Sequence, residues 1–97
     1  MFQATPEQLQ EWKKKHGNVF HFKVADKACY LRTPDRKVLS FAAAAGKSDP
    51  MKVNETILKN CWLDGDKEIQ EVDSYFLGIS GKLDQIVEIK EAELEKL

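Results

Sequence analysis

Residues 48–66 contain a capped amphipathic helix that leads directly into an aromatic residue and a turn. Asp49-Pro50 is typical of a helix start, because aspartate accepts a hydrogen bond from a first-turn N–H and proline suits the first helical position. Asp64-Gly65-Asp66 is a turn sequence. The apolar half of the helix consists of Met51, Val53, Ile57, Leu58, Cys61 and Trp62. This pattern predicts packing against a core and no particular chemistry.

Two further helices carry a similar start signal. Thr5-Pro6-Glu7-Gln8 combines an N-cap, a proline and a glutamine that can complete a capping box, and Gly17 ends this helix. Thr33-Pro34 starts a helix that ends near Gly46. The apolar side of the second helix consists of Val38, Leu39, Phe41, Ala42 and Ala45. Each helix is expected to place one side on a core.

The residues between these two helices alternate as strands do. In Val19–Val24, the apolar Phe20 and Phe22 alternate with the polar His21 and Lys23, which predicts a strand with one covered face. Ala25-Asp26-Lys27 is a short turn, and Ala28–Thr33 is a second strand. A β-hairpin is the simplest interpretation, and a hairpin of this size needs helices packed on it.

The last part of the chain has the periodicity of a helix. Asp73 is a plausible cap, and one stripe contains Phe76, Ile79, Leu83, Ile86, Val87, Leu94 and Leu97. Glycine is unfavourable inside a helix, so we expect a break or kink near Ser80-Gly81. A second helical piece then follows, and its final turns, Glu91–Leu97, lie partly outside the core.

Length and pattern together define the expected fold. A chain of 97 residues that is 42% hydrophobic suits one domain over residues 1–97. We expect an α+β fold, a small helix-dominated domain with an N-terminal β-hairpin packed by about four helices. Its expected segments are an N-terminal helix (1–17), the hairpin (18–33), a helical pair and turn (34–72) and a C-terminal helical segment (73–97).

Charge and hydropathy argue against several kinds of partner. Fifteen basic and sixteen acidic residues give a net charge of -1, which provides no attraction for a nucleic acid. The chain contains neither a secretory leader pattern nor an apolar run of membrane-spanning length, so we expect a cytoplasmic protein with no membrane partner. Cys29 and Cys61 lack a CxxC spacing and are interpreted as reduced, buried thiols.

Catalytic and metal motifs are not recognisable in this sequence. The acidic residues after Trp62 do not fit a calcium loop, because Gly65 and Tyr75 would occupy the second and twelfth positions, where an EF-hand needs glycine at the sixth and glutamate at the twelfth. Neither cysteine lies in a nucleophile motif, and Gly78-Ile79-Ser80-Gly81 lacks the GxSxG arrangement. We therefore expect no enzyme activity, no metal and no cofactor.

Two apolar features allow more than one interpretation. Trp62 and Leu63 either cap the core or lie at a partner surface, where tryptophan is enriched. The C-terminal stripe either packs within the chain or is a helix offered to a groove on another protein. Lys90 within that stripe favours a surface role for its distal part, because a buried lysine is rare unless it is paired.

Four stretches of the sequence resemble the pattern of a known family in their order and spacing. They are Pro34–Ser40, Asp49-Pro50 through Leu58, Asn60–Asp66 and Glu88–Leu94, and the resemblance covers roughly residues 18–97. In these stretches the chain resembles the small tail assembly chaperones of tailed phages and prophages. The resemblance implies a non-enzymatic protein that acts in the host cytoplasm and keeps the long tape-measure protein soluble while the tail tube polymerises around it.

That role would require apolar surface that remains available after folding. The expected partners are the tape-measure protein and, as a second candidate, the major tail tube protein, and apolar surfaces would also allow a homo-oligomer. The candidate partner-binding residues are Phe41, Trp62, Leu63, Ile86, Val87, Leu94 and Leu97. The alternative from another class is a host-encoded adaptor or inhibitor that binds a cytoplasmic protein. Gene neighbourhood discriminates the two, because a chaperone gene is expected beside a very long tape-measure gene.

Overall fold

The computed structural model describes residues Met1–Leu97 and contains a three-stranded antiparallel sheet with helices on both faces. In chain order the elements are α1 (Pro6–His16), β1 (Val19–Val24), β2 (Lys27–Arg32), α2 (Arg36–Ala45), α3 (Met51–Cys61), β3 (Trp62–Gly65), α4 (Glu68–Glu71), α5 (Asp73–Ser80) and a short 3-10 helix (Leu83–Ile86). Helix accounts for 49% of the chain and strand for 16%, which confirms the predicted helix-dominated α+β class. No helix combines the length and the apolar character that crossing a membrane requires.

The predicted hairpin is confirmed, and the structure adds a third strand to it. β1 pairs with β2 from Val19 opposite Arg32 to Val24 opposite Lys27, and Ala25 and Asp26 form the turn. β2 pairs on its other side with β3, where Trp62 lies opposite Leu31. The sequence indicated only the end of a helix and a turn at this place. The four-residue strand has too few residues for a period-two signal, and it forms because β2 offers a free edge.

Helix starts follow the predicted chemistry, with one shift of position. Thr5 and Gln8 form the predicted capping box, and Asp49 accepts a hydrogen bond from the backbone N–H of Met51 at 3.1 Å. In α2 the cap is Asp35 rather than Thr33, because the Asp35 carboxylate accepts from the Val38 N–H at 2.9 Å. The predicted start at Thr33-Pro34 is therefore two residues early.

The main core lies between the sheet and the helices α2 to α5 together with the 3-10 helix. Its buried members are Cys29, Leu31, Val38, Ala42, Ile57, Leu58, Cys61, Ile69, Ile79, Leu83 and Ile86. Phe20 and Phe22 of β1 pack against this core, as their alternation predicted. β2 is buried on both faces, because Tyr30 points away from Cys29 and Leu31 towards Trp12 of α1, with ring centroids 5.6 Å apart.

The C-terminal part of the chain differs from the prediction. The expected break is present, since α5 ends at Ser80, but only the 3-10 helix Leu83–Ile86 follows. Residues 87–97, hereafter the C-terminal segment, have no helix or strand. The prediction of a helix to the end of the chain was wrong. A short glutamate- and lysine-rich segment that buries no apolar side gains too little to offset the cost of helix nucleation.

Asp66 joins the N-terminal segment to the sheet. Its carboxylate oxygen Oδ2 accepts hydrogen bonds from the backbone N–H groups of Phe2 and Ala28, both at 2.9 Å. The bond from Ala28, followed by the bond from Phe2, lowers the pKa of the Asp66 carboxyl group below its ordinary value. The ionised carboxylate therefore stabilises the position at which the N-terminal segment meets β2.

Asp66→Ala is expected to lower the free energy of unfolding by about 1–3 kcal/mol at pH 7, because the buried N–H of Ala28 loses its acceptor. A carboxyl group with a lowered pKa in the folded state stabilises the fold above its unfolded pKa, near 4, and loses this contribution as the pH falls through the folded pKa. The difference between wild type and variant should therefore shrink below about pH 4. Urea titrations at pH 7 and at a pH below about 4 measure this difference in unfolding free energy. Asp84→Ala, at an exposed position, is the control. Equal midpoints for Asp66→Ala and wild type at pH 7 would contradict this assignment.

Candidate partner-binding surface

The C-terminal segment carries the most exposed apolar side chains of the protein. Leu94 is 99% exposed, Leu97 is fully exposed and Ile89 is 78% exposed. Glutamates and lysines flank these side chains along the segment. The distal part of the predicted apolar stripe therefore makes no contact with the core. Its apolar side chains lie at the surface, as the position of Lys90 suggested.

Phe41 lies on α2 and is 55% exposed. Its neighbour Ala42 and the residue Val38, one turn earlier, are buried in the core. Phe41 lies one helical position, about 100°, from Ala42, so only its flank meets the protein. This places a large aromatic side chain at the surface of a well-anchored helix.

Trp62 and Leu63 lie in β3 and are half-buried. Trp62 packs against the main core, which corresponds to the core-capping interpretation. Leu63 is the unpaired residue of a β-bulge opposite Tyr30 and Leu31, where the regular alternation of strand side chains is interrupted. These two residues therefore offer less apolar surface to a partner than Phe41 does.

Ile86 is a correction to the predicted binding residues. Its side chain is 2% exposed and belongs to the core cluster, so it has no surface left for another protein. The 3-10 helix places Leu83 and Ile86, three residues apart, on the same side, and both face inwards. Val87, the next residue, is half-buried.

The structure exposes apolar residues that the sequence interpretation did not select. Leu77, Met51 and Val72 are among the exposed large hydrophobic side chains. Leu77 follows Phe76 in α5 and lies off the apolar stripe, so its angular position was a usable signal. Met51 was assigned to the apolar half of α3. It is the first residue of the helix and lies beyond the edge of the core, so it is exposed.

An open polar groove of about 550 Å³ lies between the end of α1 and the beginning of α2. His16, Asp35, Arg36 and Glu88 contribute to its walls. Burial, and then the nearby charges of Arg32 and Lys15, lower the pKa of His16, which favours the neutral imidazole. Two carboxylates, Asp35 and Glu88, and one guanidinium, Arg36, line this groove, so with a neutral His16 it offers no net attraction for an anion.

Both cysteines are free thiols enclosed in the core, as predicted. Burial, followed by the charge of Asp66, raises the pKa of the Cys29 thiol to about 12, and burial also raises that of Cys61. The reactive form of cysteine is the thiolate, so neither residue is set up as a nucleophile at neutral pH. No group of three or more His, Cys, Asp or Glu side chains is placed to hold a metal ion.

The predicted binding residues belong to different elements of the fold. Phe41 lies on α2, Trp62 and Leu63 on β3, and Leu94 and Leu97 on the C-terminal segment. Of these positions, only Phe41, Leu94 and Leu97 expose most of their side chain. No protein-family model, curated protein or solved structure matches the chain.

Proposed function

We propose that this protein is a non-enzymatic tail assembly chaperone of a phage or prophage, which binds the tape-measure protein in the host cytoplasm while the tail tube assembles. One observation carries the proposal: Leu94 and Leu97 are fully exposed on a segment without secondary structure. The resemblance of residues 18–97 to that family supplies the kind of partner. The major tail tube protein is a second proposed contact.

The physical reasoning begins with what a tape-measure protein exposes. Long apolar helices aggregate in water unless another apolar surface covers them. Covering a fully exposed leucine stabilises a complex by about 1.5–3 kcal/mol. Leu94 and Leu97 are available for this without opening the core, because no core residue lies beyond Ile86.

The same segment can keep the free protein soluble. Glu91, Glu93 and Glu95 separate the exposed apolar positions, so the leucines do not form a continuous patch. Phe41 offers a second exposed contact on a rigid helix, which would hold a bound helix in place after the C-terminal segment has engaged it. Val87 and Leu63 are half-buried and would add contact area at the margins.

Co-expression with the tape-measure protein from the same gene neighbourhood tests the proposal. We expect the wild-type chain to raise the soluble fraction of the tape-measure protein and to co-purify with it. The Leu94→Asp/Leu97→Asp variant should bind at least about a hundredfold more weakly, because two buried leucines are lost. Its circular dichroism should remain unchanged, since both side chains lie outside the core.

A matched control keeps both leucines. Lys90→Gln/Lys96→Gln changes the charge of the C-terminal segment by the same two units and should bind as the wild type does. Equal binding by the double-aspartate variant would exclude the C-terminal segment from the interface. If the wild-type chain fails to solubilise the tape-measure protein but binds a host protein, the adaptor or inhibitor alternative is favoured.

A further inference from the structure

The sheet has an unused edge at β1. The strand order is β1-β2-β3, so β1 pairs with β2 on one side only. Val24 and Lys27 close the two-residue hairpin, and hydrogen-bonded pairs therefore recur at every second residue from there. By this alternation the backbone N–H and C=O groups of Val19, His21 and Lys23 point outwards. Such a row of groups is a template for a further strand.

A groove of about 430 Å³ runs along this edge, and hereafter it is called the edge groove. One wall is β1 from Phe20 to Lys23, and the other contains Lys82, Gln85 and Ile86. The two lysines give the edge groove a positive charge, and none of its lining residues is acidic. Phe20 and Phe22 provide apolar surface on the side that faces the core.

The C-terminal segment has the complementary pattern. From Glu91 to Glu95 the sequence alternates strictly, with glutamate at 91, 93 and 95 and apolar residues at 92 and 94. As a strand, this stretch would place three carboxylates on one face and Ala92 and Leu94 on the other. β1 likewise has Lys23 on one face and Phe20 and Phe22 on the other. Opposite charges and apolar pairs across neighbouring strands both stabilise a sheet.

The path of the chain makes this pairing intermolecular. Ile86 lines the edge groove, but Glu88 already accepts a hydrogen bond from Asn18, the residue before β1, at 2.9 Å. The chain has therefore passed the beginning of β1 by residue 88 and leads away from its own groove. The longest dimension of the molecule is 54 Å, and its radius of gyration of 14.9 Å exceeds the ~13 Å expected for a compact domain of this length.

We propose that Glu91–Glu95 of one copy adds as a strand to the β1 edge of a second copy. The carboxylates of the added strand lie on the side of Lys23, and Ala92 and Leu94 lie beside Phe20 and Phe22. The outward N–H and C=O groups of β1 supply the backbone hydrogen bonds. This self-association covers Leu94, which the proposed chaperone function also uses, so a paired copy releases its segment before that segment binds a tape-measure protein. The self-association is measured on the purified chain without a tape-measure protein, so its failure is distinguishable from a failure of the proposed function.

Sedimentation equilibrium at low ionic strength tests the proposal. The wild-type chain should associate reversibly, and Lys23→Pro should weaken the association at least about tenfold. Proline at this position removes one outward N–H and one charge, and it leaves the hydrogen bonds between β1 and β2 intact. Circular dichroism and thermal unfolding verify that the variant keeps the fold.

A charge exchange identifies the two surfaces. Lys23→Glu/Lys82→Glu reverses the edge groove, and Glu91→Lys/Glu93→Lys/Glu95→Lys reverses the C-terminal segment. Each variant alone should associate roughly tenfold more weakly, since like charges then face each other. A mixture of the two should recover association, because the reversed segment of one variant fits the reversed groove of the other. Glu7→Lys/Glu11→Lys/Glu71→Lys makes the same charge change at exposed positions elsewhere and should associate as the wild type does.

Three results would overturn the proposal. The first is a wild-type chain that stays monomeric at protein concentrations up to about 1 mM, where even a weak association with a Kd of that size would be detected. The second is association that is unchanged in all edge and segment variants, which would place the contact elsewhere, for example at Phe41. The third is a mixture that stays dissociated although each charge variant has lost self-association.

Discussion

Gly65→Ala should destabilise the protein by at least about 3 kcal/mol, because two separate costs coincide at this position. Gly65 has a φ of 156°, which residues with a side chain rarely adopt. A methyl group there would also lie 2.5 Å from the Cβ atom of Cys29 and 2.8 Å from the carbonyl oxygen of Ala28. The neighbours are mostly backbone atoms of the central strand, which cannot move aside without breaking its pairing.

Gly81→Ala is the matched control for this substitution. Gly81 has a φ of -68°, and the nearest atom to an added methyl group is 3.9 Å away. Alanine at this position should leave stability unchanged or raise it by up to about 1 kcal/mol. Urea denaturation followed by circular dichroism measures both variants. Equal midpoints for Gly65→Ala and Gly81→Ala would mean that β3 does not approach β2 as closely as described.

Leu83→Ala should cost about 2–5 kcal/mol of unfolding free energy. The Leu83 side chain is 0% exposed and belongs to the core cluster with Ile79 and Ile86. Removing most of this side chain leaves a cavity that the sheet and helices around it can fill only partly. Of the residues in the C-terminal stripe, Leu83 is therefore one whose truncation strongly affects folding.

Leu94→Ala makes the same chemical change on the same predicted stripe. Leu94 is 99% exposed, so its truncation should change the free energy of unfolding by less than about 0.5 kcal/mol. Thermal or urea unfolding of the two variants in parallel measures the contrast. A similar loss of stability in both would indicate that the C-terminal segment packs on the domain in solution.

Local signals in the sequence predicted the elements whose chemistry is local. The capping box of Thr5 and Gln8 depends on residues three positions apart, and the alternation of Phe20 and Phe22 appears within one strand. Both predictions are confirmed. β3 was missed because its evidence lies in another part of the chain, the free edge of β2 at Cys29–Leu31.

The candidate binding residues show the same difference between local sequence signals and contacts that are distant in sequence. Helical periodicity placed Ile86 and Leu94 on one apolar stripe. Periodicity indicates only the direction in which side chains point within one element. After Gly81 the chain forms a 3-10 helix and then leaves the core, so Ile86 is enclosed and Leu94 is in solvent. The sequence could indicate that these residues are apolar, and only their neighbours in space decide which is exposed.

The sequence by itself therefore determined the starts of α1 and α3, the hairpin, the break near Gly81 and the α+β class. Each of these follows from hydrogen bonds and steric preferences between residues close together in the chain. Tertiary structure decided that β3 completes the sheet, that Ile86 is buried and that residues 87–97 form no helix. Burial and strand pairing depend on contacts between residues far apart in sequence, and no local pattern records which of those contacts form.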